Sequence, residues 1–357
     1  MSCFEDYWRH YHDAQPGALP ELVELADHYG VRGALMSIRV LPFIGLLLLL
    51  STGCSLDVTS PMRVSPTDST QFGSVTETNA SIATIVVPEK RATPFIKSSA
   101  GATEIVGKVL KTPITATESL TITIVYDNNA YDERLKSAWG FSALVEYCNH
   151  TLLFDTGGDG PTLMENMRIL GIDPTQIESV VLSHAHGDHT GGLSALLEHG
   201  ARPIVYLPPS FPAAFKDQVV KITEMIEVSP GLSIAQGMFT TGEMGQSIPE
   251  QALVIQTDQG LVVITGCAHP GIVEIVEQAR VMFAEPVRLV LGGFHLGSKR
   301  KAEIGSILKD FRRIGIEQVA PCHCTGERAI TMFAAEYGED FIEMGVGKII
   351  QVDGGSP

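Results

Sequence analysis

From residue 119 onward the chain runs as short apolar stretches separated by segments of helical spacing. SLTITIVYD (119–127) alternates apolar and polar positions as a strand does. FSALVEY (141–147) and TLLFDTG (151–157) read as the two arms of a hairpin, with Asn149-His150 between them. PTLMENMRILG (161–171) has a helical period, with Pro161 in the first turn. Strand ESVVLS (178–183), helix GGLSALLEHG (191–200) and strand PIVYL (203–207) follow. In the second half, ALVIQT and LVVITG (252–266) form another hairpin around the turn DQG. Then come helix GIVEIVEQARVMF (271–283), strand RLVLGG (288–293), a helix over 301–314, strand QVAP (318–321), a helix over 326–336 and strand KIIQV (348–352). Strands pair early in each half and alternate with helices later, which predicts an α/β architecture with helices flanking mixed sheets.

The upstream part has a different texture. Met36 to Cys54, MSIRVLPFIGLLLLLSTGC, carries one Arg, an apolar run from Leu41 to Leu50 and small residues before Cys54. This is the layout of a secretory signal. It resembles a bacterial lipoprotein signal in which the cysteine is lipidated, although Ser51 stands where such signals favour Leu. The apolar run is short for a span of ~20 residues, so a cleaved signal is favoured over an uncut anchor. Met36 then reads as the start of translation and residues 1–35 as an upstream extension whose His and Asp residues belong to a solvated tail. Residues 55–117, rich in Ser, Thr, Pro and Val, read as a linker to the folded domain at 118–357. The expected location is therefore outside the cytoplasmic membrane, attached by the N-terminal anchor.

A formal net charge of -16 over 357 residues disfavours nucleic acid as a partner. It does not exclude a small anionic substrate, because the field inside a cleft can oppose the net charge. The six cysteines, Cys3, Cys54, Cys148, Cys267, Cys322 and Cys324, do not make a small disulfide framework. Most are expected to be free or to belong to a site.

The chemistry gathers where strand ESVVLS runs into HAHGDHTGG (184–192). His184 and His186, two residues apart at the end of a strand, can both reach one ion, and Gly187 lets the backbone turn. Asp188 and His189 then open the next helix beside the same cleft. Imidazole nitrogen and carboxylate oxygen are ligands of zinc or a similar divalent ion. Four such side chains within six residues favour a metal site over a polar turn with incidental histidines.

HAHGDH, its preceding strand, the following GG and helix, and TLLFDTG upstream are similar to the H-x-H-x-D-H layout of the metallo-β-lactamase superfamily over residues 118–352. The resemblance implies an αββα four-layer sandwich with one or two divalent ions, zinc expected and iron or manganese as alternatives. It implies that His184 and His186 bind the first ion and Asp188 and His189 the second. GCAHPG (266–271) adds His269 as a ligand, favoured over Cys267, which stands where many relatives carry a bridging Asp. PCHCTG (321–326) adds His323 at the superfamily's last histidine. His295 in GGFHL reads as a substrate-contacting or supporting group, with a hydrogen-bonded core histidine as the equal alternative. The histidine expected between the middle strands is missing, and Glu250 or Gln251 in IPEQAL is the candidate substitute. Asp155 is expected to orient a histidine rather than bind metal. The set YDNN, WGFSALVE, LLFDTG, GCAHPG, GGFHL and HCTG further resembles the subfamily named for 7,8-dihydropterin-6-methyl-4-(β-D-ribofuranosyl)-aminobenzene-5′-phosphate synthase.

The leading expectation is a hydrolase of a small-molecule ester, phosphoester or amide, its nucleophile a hydroxide made available when the metal lowers the pKa of bound water to ~7. Asp188 would position the nucleophile as well as ligate, and Asp188 and His295 are the candidate catalytic residues. Asn128, Asn129 and Trp139 are candidates for substrate contact. A pterin-type transferase and a non-catalytic, surface-anchored binding module are the alternatives.

Overall fold

The computed structural model describes residues 119–354. The extension 1–35, the signal-like segment Met36–Cys54 and the linker 55–117 lie outside the described residues. Among the described residues no helix is long and apolar enough to cross a membrane.

The first half begins with three antiparallel strands, β1 (Leu120–Tyr126), β2 (Ser142–Tyr147) and β3 (His150–Phe154). Helix α1 (Gly160–Leu170), β4 (Ser179–Val181), helices α2 (Gly187–Thr190) and α3 (Leu193–Glu198), β5 (Ile204–Leu207), α4 (Ala213–Val219) and β6 (Met225–Glu227) follow, with β3 to β6 paired in parallel. The second half repeats the plan. Strands β7 (Ser233–Ala235), β8 (Met238–Thr240), β9 (Leu253–Thr257) and β10 (Gly260–Thr265) pair antiparallel. Helix α5 (Ile272–Phe283), β11 (Val287–Gly293), α6 (Lys301–Ile314), β12 (Gln318–Cys322) and α7 (Glu327–Tyr337) complete it, with β10, β11 and β12 parallel. The last strand, β13 (Ile349–Val352), returns to pair with β1. One sheet has seven strands in the order β13-β1-β2-β3-β4-β5-β6, the other six in the order β12-β11-β10-β9-β8-β7.

The local chemistry explains these elements. The β2–β3 turn is Cys148-Asn149, both left-handed at φ 49° and 56°, a pair that matches the twist of the arms. It lies one residue before the expected Asn149-His150, and His150 already belongs to β3. Helix α1 starts where the Asp159 side chain accepts a bond from the Thr162 N–H, and it stops at Gly171 in the left-handed region.

Three apolar clusters define four layers. Leu120, Ile122 and Ile124 of β1 meet Leu253, Ile255, Val262, Ile264 and Leu291 of the other sheet in the central cluster. Outside the seven-stranded sheet, Leu163, Met167, Leu193, Leu196 and Phe215 pack helices α1, α3 and α4 onto Val125, Val180 and Val205. Outside the six-stranded sheet, Ile275, Val276, Phe311 and Phe333 pack α5, α6 and α7 onto Leu261, Val263 and Val290. Strand β10 shows why this holds together: Val262 and Ile264 face one cluster, Leu261 and Val263 the other. The αββα sandwich anticipated from the sequence is the observed fold. The carboxyl ends of β1, β3, β4, β10, β11 and β12 lead into the loops that carry the polar residues described next.

Candidate metal centre

The HAHGDH segment leaves β4 and enters the single turn of α2, with His186 capping it and Asp188 in its first turn. His184 Nε2 lies 3.0 Å from His186 Nδ1, so both nitrogens face one spot. His269 reaches that spot from the turn after β10: its ring centroid is 4.6 Å from that of His184 and 4.9 Å from that of His186. Supporting bonds fix the rings. Ser183 Oγ sits 2.8 Å from His184 Nδ1, and Glu250 Oε2 sits 3.0 Å from His269 Nδ1. The Glu250 carboxylate also accepts bonds from the N–H groups of Gly266, Cys267, Ala268 and His269 at 2.9–3.1 Å.

A second group adjoins the first. Asp188 Oδ2 lies 3.6 Å from His189 Nε2 and 3.3 Å from His323 Nε2. Asp155, fully buried, places Oδ2 at 2.7 Å from His189 Nδ1 and is itself held by the Ser183 N–H and hydroxyl. Asn128 Oδ1 lies 3.0 Å from His323 Nδ1. Cys267 Sγ is 3.2 Å from His189 Nε2.

These donor sets fit divalent metal. The ligand-type atoms of Asp188, His189, Cys267 and His323 all lie within 4.8 Å of one another, as do those of His184, Cys267 and His269. His269 Nε2 and His323 Nε2 are buried without a hydrogen-bond partner, a costly arrangement unless another ligand occupies the lone pair. The orienting partners on the opposite ring nitrogens match the second-sphere pattern of metal-bound histidine. Backbone strain gathers here too. Asp155, Ala268, His295 and His323 have φ between 48° and 60°, a region that non-glycine residues enter at a cost and that recurs at functional sites.

Residues 140–283 match the family model described as the metallo-β-lactamase superfamily. A solved structure described as Tm1679, a metal-dependent hydrolase of the β-lactamase superfamily, is 31% identical, with a TM-score of 0.56, and is covered over 99% of its length and 66% of this chain. The chain belongs to the metallo-β-lactamase superfamily. The curated relative 7,8-dihydropterin-6-methyl-4-(β-D-ribofuranosyl)-aminobenzene-5′-phosphate synthase from Methanocaldococcus jannaschii is 29% identical over 279 residues, covering 95% of that protein and 64% of this chain. The fold protein YhfI from Bacillus subtilis, 15% identical with a TM-score of 0.51 over 66% of this chain and all of that one, shares the fold.

Within this metallo-β-lactamase site the charges are strongly coupled. Burial is the largest influence on Asp188 and raises its pKa, but the charges of His189 and His323 more than reverse it, leaving the carboxylate ionised well below its usual range. Burial likewise disfavours charge on His189, and the carboxylates of Asp188 and Asp155 overcome it, raising the metal-free imidazole to about 9. His184 moves the other way: burial, then the neighbouring histidines, hold it well below its ordinary value. Burial raises Glu250, but His269 and the backbone N–H groups bring it down to about 2.

All six candidate ligands, His184, His186, Asp188, His189, His269 and His323, come to one edge of the sandwich. Half-buried His295 joins them, its ring centroid 4.5 Å from that of His269. Asp155 orients His189 as anticipated. Two expectations need correction. Neither Glu250 nor Gln251 substitutes for the missing histidine: Glu250 is saturated by backbone N–H groups, while Gln251 bonds Leu182 O, Tyr206 O and the Thr240 hydroxyl. His269, on the turn after β10, is the imidazole that lies beside His184 and His186. Asn128 is turned onto His323, and Asn129 is folded onto Asp127 Oδ1 by bonds of 2.6 and 2.7 Å, so the two are occupied inside the protein. Trp139 does remain at the rim, 40% exposed and 4.9 Å from the His323 ring. Sequence reasoning missed Asn128 and Ser183 as histidine partners; the sole sequence signal for Ser183 is its adjacency to His184.

Proposed function

We propose that the chain is a metal-dependent hydrolase of a small ester, phosphoester or amide, with His184, His186 and His269 holding one divalent ion and Asp188, His189 and His323 a second, zinc being the expected metal. The observation that carries this reading is the pair of convergent donor groups, in which His269 Nε2 and His323 Nε2 are buried without a hydrogen-bond partner. Bound metal supplies Lewis acidity toward the scissile carbonyl or phosphoryl oxygen and toward the attacking water. The chain's own residues supply the rest. Asp155, Glu250, Ser183 and Asn128 fix the histidines before substrate arrives, so little reorganisation is left for the reaction. Asp188, ionised and at the cleft surface, positions the nucleophile as well as ligating. His295, half-buried beside His269, contacts the substrate, and the exposed Trp139 ring offers it an apolar face.

The test is the double variant His184→Ala/His186→Ala of the full chain, measured for metal content and for turnover in a screen of ester, phosphoester and amide substrates. Loss of bound metal and of turnover is expected. Full turnover in a metal-free preparation overturns the mechanism.

The synthase relative from Methanocaldococcus jannaschii supports a second reading, a transferase joining a pterin-like diphosphate to an aromatic ribose phosphate. Release of inorganic diphosphate with a coupled product, in place of simple hydrolysis, distinguishes it. For location, the signal-like segment supports export with lipid on Cys54, and palmitate labelling lost in Cys54→Ala tests that. A net charge of -16 supports a small-molecule partner over nucleic acid.

A further inference from the structure

Beside the two groups above lies a third, in which the donor atoms of Cys267, His295 and Cys324 all fall within 4.8 Å of one another. They arrive on three separate loops, after β10, β11 and β12. We propose that these residues form a third metal position, rich in sulfur, that takes a thiophilic divalent ion such as zinc or ferrous iron. Cys267 serves as a thiolate bridge from it to the Asp188–His189–His323 group. The proposal rests on the functional reading above through the Asp188–His189–His323 ion that shares this sulfur, and it gives His295 a metal-binding role in place of substrate contact.

The first group contains three imidazoles and can hold an ion without sulfur, which leaves Cys267 to the other two. Cys267 Sγ already stands 3.2 Å from His189 Nε2, and the Cys324 thiol lies 3.7 Å from the Cys267 carbonyl oxygen. Two thiolates and one imidazole are a donor set for tetrahedral zinc or ferrous iron and leave a fourth position open. Each thiol gives its proton to solvent as its sulfur–metal bond forms. The backbone is arranged around this space. A Cβ on Gly293 would stand 2.8 Å from Cys324 Sγ and 3.2 Å from Cys267 Cα, so glycine keeps the gap between the cysteines clear. His295 is held at φ 52°, a strained conformation at the end of its strand. Buried thiols acting only as small hydrophobes require neither feature.

The experiment uses the full chain, kept reduced and loaded with cobalt(II) chloride. Bound cobalt is counted by elemental analysis, and the thiolate-to-cobalt charge-transfer band is read in the near ultraviolet. The wild type is expected to hold about three ions per chain, one for each group. Cys324→Ser is expected to lose about one ion and to keep about a third of the band, because one of three sulfur–cobalt bonds remains. His295→Gln loses the same ion while retaining both thiols, which covers the case in which Cys324→Ser fails to fold by circular dichroism. Wild-type cobalt content and an undiminished band in both variants overturn the proposal. The double variant His184→Ala/His186→Ala separates the two readings. Unchanged cobalt content there defeats the histidine centre, while the response of the band to Cys324→Ser still decides the sulfur position.

Discussion

The two histidine-bearing groups are built in contrasting ways. In the first, His184 and His186 come from one strand end, and His269 is fixed by a carboxylate that also gathers four backbone N–H groups. In the second, Asp188 and His189 share a helical turn, but His323 arrives from β12, and its orienting partner Asn128 lies 195 residues away in sequence, after β1. The first group thus joins His184 and His186, after β4 of the seven-stranded sheet, to His269 and Glu250 on the loops of the six-stranded sheet. The second is clamped between the sheets, with Asp155 after β3 and Asn128 after β1 on one side and His323 on the other. Both groups therefore depend on the packing of the two sheets, and what separates them is the supporting residue: Glu250 for the first, Asp155 and Asn128 for the second.

The largest effect is expected from His184→Ala/His186→Ala. Both are proposed ligands of one ion, and turnover should fall by about 10³-fold or more with loss of at least one metal equivalent. Next, Asp155→Asn and Asn128→Ala should each weaken binding at the second group by about 10–100-fold, leaving the first ion in place, as read by metal titration. Glu250→Gln is the reciprocal change. It should weaken the first group by a similar factor and also cost about 1–3 kcal/mol of stability, because the buried backbone N–H groups lose a charged acceptor. Equal effects of Asp155→Asn and Glu250→Gln on both ions would break the comparison.

Acid and base should separate the groups further. His189 is raised from the ordinary histidine value of 6.5 to about 9 in the metal-free protein. Its charged form therefore stabilises the fold fully below about 6.5, and that contribution is lost as pH rises through about 9. A metal ligand must be neutral, so the proton competes. Affinity at the second group should rise about tenfold per pH unit between pH 7 and 9. His184, held well below its ordinary value, already lacks its proton there, so the first group should respond little. Glu250 has the opposite sign. Its stabilisation is present above about 4.5 and is lost as pH falls through about 2, which acid unfolding of the metal-free protein should detect. The smallest effect is expected from Trp139→Ala, a rise in KM of a few-fold with kcat unchanged, because the ring is 40% exposed at the rim and packs beside the His323 ring.

Periodicity made the main elements legible. Helix α6 falls on the anticipated 301–314, and α5, β9 and β10 fall within a residue or so of expectation, because their apolar patterns are long and their ends carry turn residues. Strands β6, β7 and β8 are three residues each and carry no readable period, so they and α4 escaped the sequence. HAHGDH was legible as a candidate metal motif because its ligand-type side chains are adjacent in the chain, and a strand followed by a turn can present them in only a few ways. The place of His269 was not. GCAHPG named His269 as a candidate ligand, but a third imidazole was missing from the expected segment, and that His269 lies beside His184 and His186, held by Glu250, appears only in the fold.

The sequence by itself determined the four-layer fold class, the strand-end location of the candidate centre and the kinds of donor side chain in it, since these depend on periodicity and on residues close together in the chain. Tertiary structure alone decided which partner steadies each histidine, that Asn128 faces inward, and that Cys267 lies within reach of three donor groups. Those relations join residues from six strand ends, and no local pattern encodes the packing of one sheet against the other.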